Sequence, residues 1–153
     1  MESEIVLVVA EDDEDHYFLI QEAFQSVSPK VRIFRVKDGE ELMDFLLQKG
    51  SYQNGQAPRP DLILLDLNMP KKDGREALKE IKSQPELKAI PVIVLTTSRD
   101  PQDVIRSYGL GANSFMRKPF GFAQWRILAK IFGQYWFEMA ELPEVISHGD
   151  AQP

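Results

Sequence analysis

The chain has no cysteine, so disulfide bonds and thiolate chemistry are excluded. It also has no excess of positive charge: the net charge of −6 argues against a nucleic-acid partner, because phosphate backbones require a basic surface. The two histidines, His16 and His148, are too few and too far apart to indicate a metal site. No apolar run approaches the ~20 residues of a membrane span, and no basic segment of a signal peptide precedes the first apolar run. We therefore expect a cytoplasmic protein that does not associate with membranes.

Strand and helix patterns alternate along the 153 residues, a length that fits one domain. Short apolar runs predict five strands, and apolar residues at helical spacing predict five helices. A long loop is expected over residues 49–60, which contain two glycines and two prolines. The predicted strands are Ile5–Ala10, Val31–Val36, Leu62–Leu65, 91–95 and 114–116, and the predicted helices are 16–27, 40–48, Gly74–Ser83, 101–108 and 122–139.

Five consecutive β/α units predict a doubly wound α/β fold, with a parallel sheet covered by helices on both faces. Arg32 and Arg35 interrupt the second strand and the fifth strand is short, so both are expected at the edges of the sheet. The pattern favours the strand order 2-1-3-4-5. Ligands of such sheets bind at the carboxyl ends of the strands, beside strand one.

Charged and hydroxyl side chains follow four of these strands. Asp66 ends the third strand, Glu11 and Asp12 end the first, Thr96 ends the fourth, and Lys118 lies just beyond the fifth. Each acid taken singly fits an ordinary role, either in a loop after a strand or in the first turn of a helix, where a negative charge interacts favourably with the helix dipole. Together, carboxylates ~4 Å apart would repel by roughly 4 kcal/mol per pair at an effective dielectric constant near 20. A proton or a cation must relieve this repulsion, and oxygen-only ligands suit Mg²⁺.

The strand-end residues belong to four longer motifs: VVAEDDED, LILLDLNMPKKDG, PVIVLTTS and FMRKPF. With them, the sequence resembles the receiver domain of two-component response regulators, from residue 5 to about residue 142. The resemblance implies a flavodoxin-like and CheY-like topology with an extended C-terminal helix. It also implies a receiver domain over residues 1–142 and a flexible tail over residues 143–153.

The resemblance assigns roles to the acids. Asp66 would be the phosphoacceptor, taking a phosphoryl group from a phosphohistidine of a sensor histidine kinase. Glu11, Asp12, Asp66 and the backbone carbonyl of Asn68 would bind Mg²⁺. The chain would then act as a phosphoacceptor in a phosphorelay and not as an enzyme that turns over a substrate.

The resemblance also assigns roles to three residues on the later strands. Thr96 would bond a phosphoryl oxygen, and Lys118 would pair with the phosphate. The bond between Lys118 and Pro119 would be cis, as is usual in this family. Phe115 would be the switch residue that moves when Thr96 is drawn towards the phosphate.

A narrower resemblance concerns the small response regulators of cyanobacterial phytochromes. It rests on the loop at residues 52–60 and on the segments PKKDGREALKEIK and WFEMAELP. It implies a phytochrome histidine kinase as phosphodonor. The last helix carries apolar residues on more than one face, so we expect it to form a homodimer. An alternative is that its end folds back on its own domain. No DNA-binding module follows, so the output would pass to an unidentified downstream protein.

The alternative function is a haloacid-dehalogenase-type phosphohydrolase, which would use Asp66 as its nucleophile. That family places a second acid two residues after the nucleophile, and Asn68 stands there instead. A flavin-binding protein of the same topology would need a phosphate loop after the first strand. The acids of residues 11–15 would repel such a ligand.

Overall fold

Five parallel strands form one sheet in the order β2-β1-β3-β4-β5, as the apolar patterns predict. The computed structural model describes residues 4–28 and 30–144. Five strands and five α-helices alternate along these residues: β1 Ile5–Ala10, α1 Glu14–Val27, β2 Val31–Val36, α2 Gly39–Leu47, β3 Leu62–Leu65, α3 Gly74–Ser83, β4 Val92–Thr96, α4 Pro101–Gly109, β5 Ser114–Arg117 and α5 Phe122–Gly133.

Helix α5 continues into a π-helical segment, Gln134–Met139, so the predicted helix over residues 122–139 is confirmed. Leu142, three residues further on, packs against the core. Residues 145–153 of the predicted flexible tail lie outside the described residues. Within the described ranges no helix is both long and apolar enough to cross a membrane.

The core has two layers because alternate strand residues face opposite sides of the sheet. Val8, Ile63 and Val94 pack on the side covered by α2 and α3. Leu7 and Leu64 pack on the side covered by α1 and α5. The aromatic rings of α1 and α5 interlock on this second side, where the ring centroids of Phe24 and Phe132 lie 5.0 Å apart in edge-to-face geometry.

The predicted loop over residues 49–60 is packed more tightly than its composition indicates. Gly50–Tyr52 form a 3₁₀ turn. The Tyr52 hydroxyl donates a hydrogen bond of 2.6 Å to Glu41 Oε2, and its ring lies 5.0 Å from that of Phe45. This turn therefore packs along α2.

Aspartates begin four of the helices, each accepting a hydrogen bond from a backbone N–H of the first turn. The predicted cap at Asp100, followed by proline at the first helical position, is confirmed. All four caps follow strands or strand-end loops, so the amino ends of these helices surround the carboxyl edge of the sheet: Asp13, Asp38, Asp73 and Asp100.

Candidate functional site

The carboxyl ends of β1 and β3 place two acids side by side. Ala10 pairs with Leu65, the last residues of their strands. The next residues stay tied to the sheet: the Asp66 N–H donates to the Ala10 carbonyl at 3.1 Å, and the Glu11 N–H donates to the Val36 carbonyl at 3.0 Å. Both carboxylates therefore project from rigid backbone.

Lys118 reaches into this pocket from the end of β5. The backbone N–H of Lys118 donates to the Thr96 carbonyl at 2.8 Å, and this bond anchors the Lys118 backbone beside β4. Its Nζ lies 2.9 Å from Asp66 Oδ2 and 2.5 Å from Glu11 Oε1, and the three side chains are at most 7% exposed. The contact with Glu11 is a buried ion pair, and within the described residues Glu11 Oε1 has no hydrogen-bond partner besides this ammonium. The predicted electrostatic partner of the pocket is in place.

Burial makes Glu11 an unusual carboxyl group. Its pKa is raised from 4.5 to about 7, first by desolvation and then by the negative charge of Asp66, while the Lys118 ammonium and the Asp13 N–H partly oppose the rise. Although the ammonium is close, desolvation dominates because Glu11 is only 1% exposed. The raised pKa means that burial disfavours the charged carboxylate, and a cation beside it can take the place of the proton.

Glu11, Asp12 and Asp66 each offer a carboxylate oxygen, and these oxygens all lie within 4.8 Å of one another. Glu11 and Asp66 are buried whereas Asp12 is exposed, so the cluster opens to solvent on one side. The Asn68 N–H donates to Asp66 Oδ1 at 3.3 Å, which keeps this residue beside the pocket. The donor set consists of oxygens alone, and the ion pair with Lys118 leaves the buried Glu11 Oε1 without a second partner among the described residues, so the cluster fits a hard divalent cation such as Mg²⁺ or Mn²⁺.

Thr96 and Phe115 occupy neighbouring strands. Thr96 is fully buried, and its hydroxyl accepts a hydrogen bond of 3.3 Å from the Ser98 N–H. Phe115 is half-buried and packs against the core layer covered by α2 and α3. The expectation of a cis bond between Lys118 and Pro119 is wrong, since the described residues contain no cis peptide bond. Proline permits either isomer, and trans is the form that X–Pro bonds favour by roughly 0.5–1 kcal/mol.

A chain of polar contacts joins the loop after β4 to α3. The Arg75 guanidinium binds Asp103 in bidentate fashion, with distances of 2.9 and 2.8 Å. Asp103 Oδ2 also accepts a hydrogen bond of 2.5 Å from the Ser98 hydroxyl. The Ser98 carbonyl in turn accepts from Arg117 Nε at 3.2 Å. The loop that follows Thr96 is therefore fastened to α3, α4 and β5.

Two glycines hold the loop between Asp66 and α3 by close backbone approach. The Gly74 N–H donates to the Leu67 carbonyl at 2.9 Å, and the Gly39 N–H donates to the Lys72 carbonyl at 2.8 Å. A Cβ at Gly74 would collide with the Asp66 carbonyl, and one at Gly39 would collide with that of Lys72. Only glycine allows these contacts.

Sequence reasoning did not identify one member of the site. His16 Nδ1 lies 2.8 Å from Lys118 Nζ, although 102 positions separate the two residues. The apolar stripe of α1 contained the signal: Ile20 faces the core, and His16 lies one helical turn before it on the same face. A polar residue that extends a buried stripe towards the carboxyl edge points into the pocket.

Comparisons with known proteins agree with this geometry. The sequence matches the response regulator receiver domain over residues 6–131. Response regulator Rcp1 of Synechocystis sp. is 43% identical over 138 residues, which cover 90% of this chain and 92% of Rcp1.

Two crystal structures have closely similar folds. The phosphorylated cyanobacterial phytochrome response regulator RcpA has a TM-score of 0.87 at 43% identity, covering 93% of this chain and 100% of RcpA. The Mn²⁺-bound form of Rcp1 has a TM-score of 0.85 at 42% identity, covering 92% and 99%. These matches do not support the haloacid-dehalogenase-type alternative. The chain belongs to the response regulator receiver domain family.

Proposed function

We propose that the protein accepts a phosphoryl group on Asp66 from a phosphohistidine of a sensor histidine kinase, in a reaction that depends on Mg²⁺. One observation carries the proposal. The buried Asp66 carboxylate lies 2.9 Å from the Lys118 ammonium, in a cluster with the oxygens of Glu11 and Asp12. This is the charge arrangement that phosphoryl transfer requires, because the reaction depends on alignment and on neutralising the phosphoryl oxygens.

In the proposed step, an Asp66 oxygen forms a bond to phosphorus while the bond from phosphorus to the donor imidazole breaks. The bonding electrons remain on the imidazole nitrogen. Lys118 changes partner from the Asp66 carboxylate to a phosphoryl oxygen and keeps the new negative charge paired. Glu11, Asp12, Asp66 and the Asn68 carbonyl would hold Mg²⁺, which supplies further positive charge to the phosphoryl oxygens when bound. The product is a phosphoaspartate, so the protein ends the step modified and does not act as an enzyme of multiple turnover.

Labelled phosphate from acetyl phosphate and Mg²⁺ tests the acceptor. Wild-type protein should take up one phosphoryl group, and Asp66→Ala should take up none while remaining folded, because the reacting oxygen is lost. Asp15→Ala is the matched control, since it removes an exposed carboxylate from the same acidic segment. Stoichiometric label on Asp66→Ala would remove Asp66 from the role.

The donor is proposed to be a phytochrome histidine kinase. Support comes from the similarity to RcpA, which is a phytochrome response regulator. A panel of sensor kinases, each charged with labelled ATP, tests this pairing. Transfer should be fastest from the phytochrome kinase, and equal rates from unrelated kinases would contradict it. We also propose that the reaction takes place in the cytoplasm, because such kinases use ATP.

Signal output is proposed to pass from Thr96 to Phe115 and then to a downstream protein. Thr96 would exchange the Ser98 N–H for a phosphoryl oxygen, and Phe115 would repack towards the space this opens. The half-buried position of Phe115 beside the core supports such movement. Lacking a hydroxyl group, Phe115 would act through packing alone. A fluorinated phenylalanine at residue 115 should change its ¹⁹F resonance on addition of beryllofluoride, and an unchanged resonance would contradict the switch.

We also propose a homodimer through the last helix. Trp136 and Phe137 pack against the protein's own core, whereas four apolar side chains one turn apart remain outside it. They are 51%, 61%, 56% and 77% exposed: Ile127, Ile131, Tyr135 and Met139. An exposed apolar stripe of this length is typical of an interface.

Sedimentation of wild type and Ile131→Glu tests the dimer. The substitution should yield monomers, because it places a charge within the stripe. Gln25→Glu, which adds the same charge at an exposed position of α1, should leave the dimer intact. A wild-type monomer at high concentration, with and without phosphorylation, would contradict the proposal.

A further inference from the structure

His16 is held at the phosphoryl-transfer pocket by the same loop that carries the acids. Its backbone N–H donates to Asp13 Oδ1 at 2.9 Å, at the start of α1. The Asp13 N–H donates to Glu11 Oε2 at 3.2 Å. The contact of His16 with Lys118 and that of Lys118 with Glu11 complete a closed ring of four residues. The position of the imidazole is thus built into the pocket.

The Lys118 ammonium has three hydrogens and no acceptor, and three groups surround it. Asp66 Oδ2 lies at 2.9 Å, Glu11 Oε1 at 2.5 Å and His16 Nδ1 at 2.8 Å. Because an ammonium can only donate, a hydrogen bond at this contact requires Nδ1 of His16 to accept, and the imidazole tautomer that accepts there carries its proton on Nε2. His16 is the one member of the three that is not a carboxyl group.

The three partners of Lys118 behave differently when the site works. In the proposed reaction Asp66 would become a phosphoaspartate and Glu11 would help to hold a divalent cation, so both carboxyl groups would change their bonding. The imidazole takes no part in either change and can keep its hydrogen bond throughout.

We propose that His16 is a positioning residue for phosphoryl transfer, holding the Lys118 ammonium in place while the two carboxylates change partners. This inference rests on the proposed function of Asp66. His16 does not touch the phosphoryl group. It acts through Lys118, since misplacing a charge-neutralising group slows a reaction that depends on alignment.

The test compares His16→Leu with His16→Asn in the full chain, using acetyl phosphate and Mg²⁺ and following phospho-Asp66 over time. Leucine keeps apolar bulk but has no acceptor, whereas the asparagine amide oxygen can occupy the place of Nδ1. Loss of a hydrogen bond to a charged group should slow uptake by His16→Leu about 10-fold to 100-fold. His16→Asn should recover most of the wild-type rate.

Three further measurements separate positioning from a structural role. Titration with Mg²⁺ alone should give the same affinity for His16→Leu and wild type, because His16 does not contact the candidate metal ligands. Phe18→Leu, a change at an exposed residue of the same helix, should leave the rate unchanged. Nitrogen-15 spectra of the wild-type imidazole should show a proton on Nε2 and none on Nδ1.

Three results would overturn the proposal: a wild-type rate for His16→Leu, no recovery by His16→Asn, or a proton on Nδ1 in the wild type. The spectra need no variant, so they decide the matter even if a substitution prevents folding. Failure of wild type to take up phosphate would instead refute the function of Asp66, and the role of His16 would fall with it.

Discussion

The interior of the sheet and its carboxyl edge follow opposite principles, although one peptide bond separates them. Leu65 is fully buried among apolar side chains, and removing that surface from water stabilises the fold. Asp66, the next residue, is 6% exposed and faces Glu11 and Lys118. Burial there is unfavourable unless partners offset it. The apolar interior therefore supplies the stability that allows the edge to hold poorly solvated charges together.

The largest expected effect is in the interior. Leu64→Ala should lower the free energy of unfolding by about 2–5 kcal/mol, because it leaves a cavity in a tightly packed layer. Urea denaturation measures the loss, and the folded fraction should still take up phosphate. Ile105→Ala is the control, since Ile105 is 65% exposed and should change stability by less than about 0.5 kcal/mol. Equal losses of unfolding free energy for the two variants would contradict the expectation that interior packing stabilises the fold more than surface contacts do.

At the edge, stability should depend on pH through Glu11. Its pKa is raised to about 7 in the folded protein from an ordinary value of 4.5, so the folded chain binds this proton more tightly than the unfolded chain. The resulting contribution, on the order of 3 kcal/mol, is fully present below pH 4.5 and is lost as the pH rises through about 7. Urea denaturation between pH 5 and 8 without Mg²⁺, in about 0.1 M salt, measures the slope.

Glu11→Gln tests whether Glu11 causes this pH dependence, because glutamine cannot titrate. Its stability should change much less between pH 5 and 8 than that of wild type. Mg²⁺ should stabilise the wild type most at the upper end of the range, where the cation no longer competes with the proton. Parallel pH profiles for wild type and Glu11→Gln would show that Glu11 is not the group responsible.

A smaller effect should follow from Asp66→Asn. The negative charge of Asp66 is the second cause of the raised pKa of Glu11, after desolvation. Removing that charge should lower the pKa of Glu11 and move the pH-dependent loss of stability to lower pH. The same denaturation series detects the shift. Asp15→Asn removes an exposed charge and should leave the midpoint in place, and an equal shift for both variants would contradict a local cause.

The smallest expected effect concerns the contact between α3 and α4. Arg75→Lys replaces a bidentate pair with Asp103 by a single contact, at side chains that are 20% and 12% exposed. Solvent screens such a pair, so the loss should be about 0.5–1 kcal/mol. Thermal and urea denaturation measure it against Lys79→Ala on the exposed face of α3. A loss of unfolding free energy as large as that of Leu64→Ala would contradict the small contribution expected of this ion pair.

The strand order and the acids of the site were predictable because each rests on local sequence. The apolar run Leu62–Leu65 indicates a central strand, and the residue after it must lie at the carboxyl edge. The alternation of elements then brings Glu11 and Asp66 together. The contact between Lys118 and the acids followed from charge, since a negative pocket favours a nearby ammonium.

What was not predicted depends on contacts between distant parts of the chain. The approach of His16 to Lys118 joins α1 to the end of β5, and only the helical phase of His16 indicates it. The 3₁₀ turn at Gly50–Tyr52 is held by Tyr52, which packs on Phe45 within a segment that looks like a loop by composition. The bonds between Ser98, Asp103 and Arg75 likewise depend on how α3 and α4 are placed.

The loop between Asp66 and α3 has a property that bears on divergence among related proteins. Main-chain contacts at Gly39 and Gly74 determine its path, so the side chains within it have little influence on where the Asn68 carbonyl lies. Exposed positions such as Asn68 and Pro70 can therefore vary in chemistry while the pocket keeps its shape. Substitutions at such positions can change the chemistry of the surface beside Asp66 without moving the acids of the pocket.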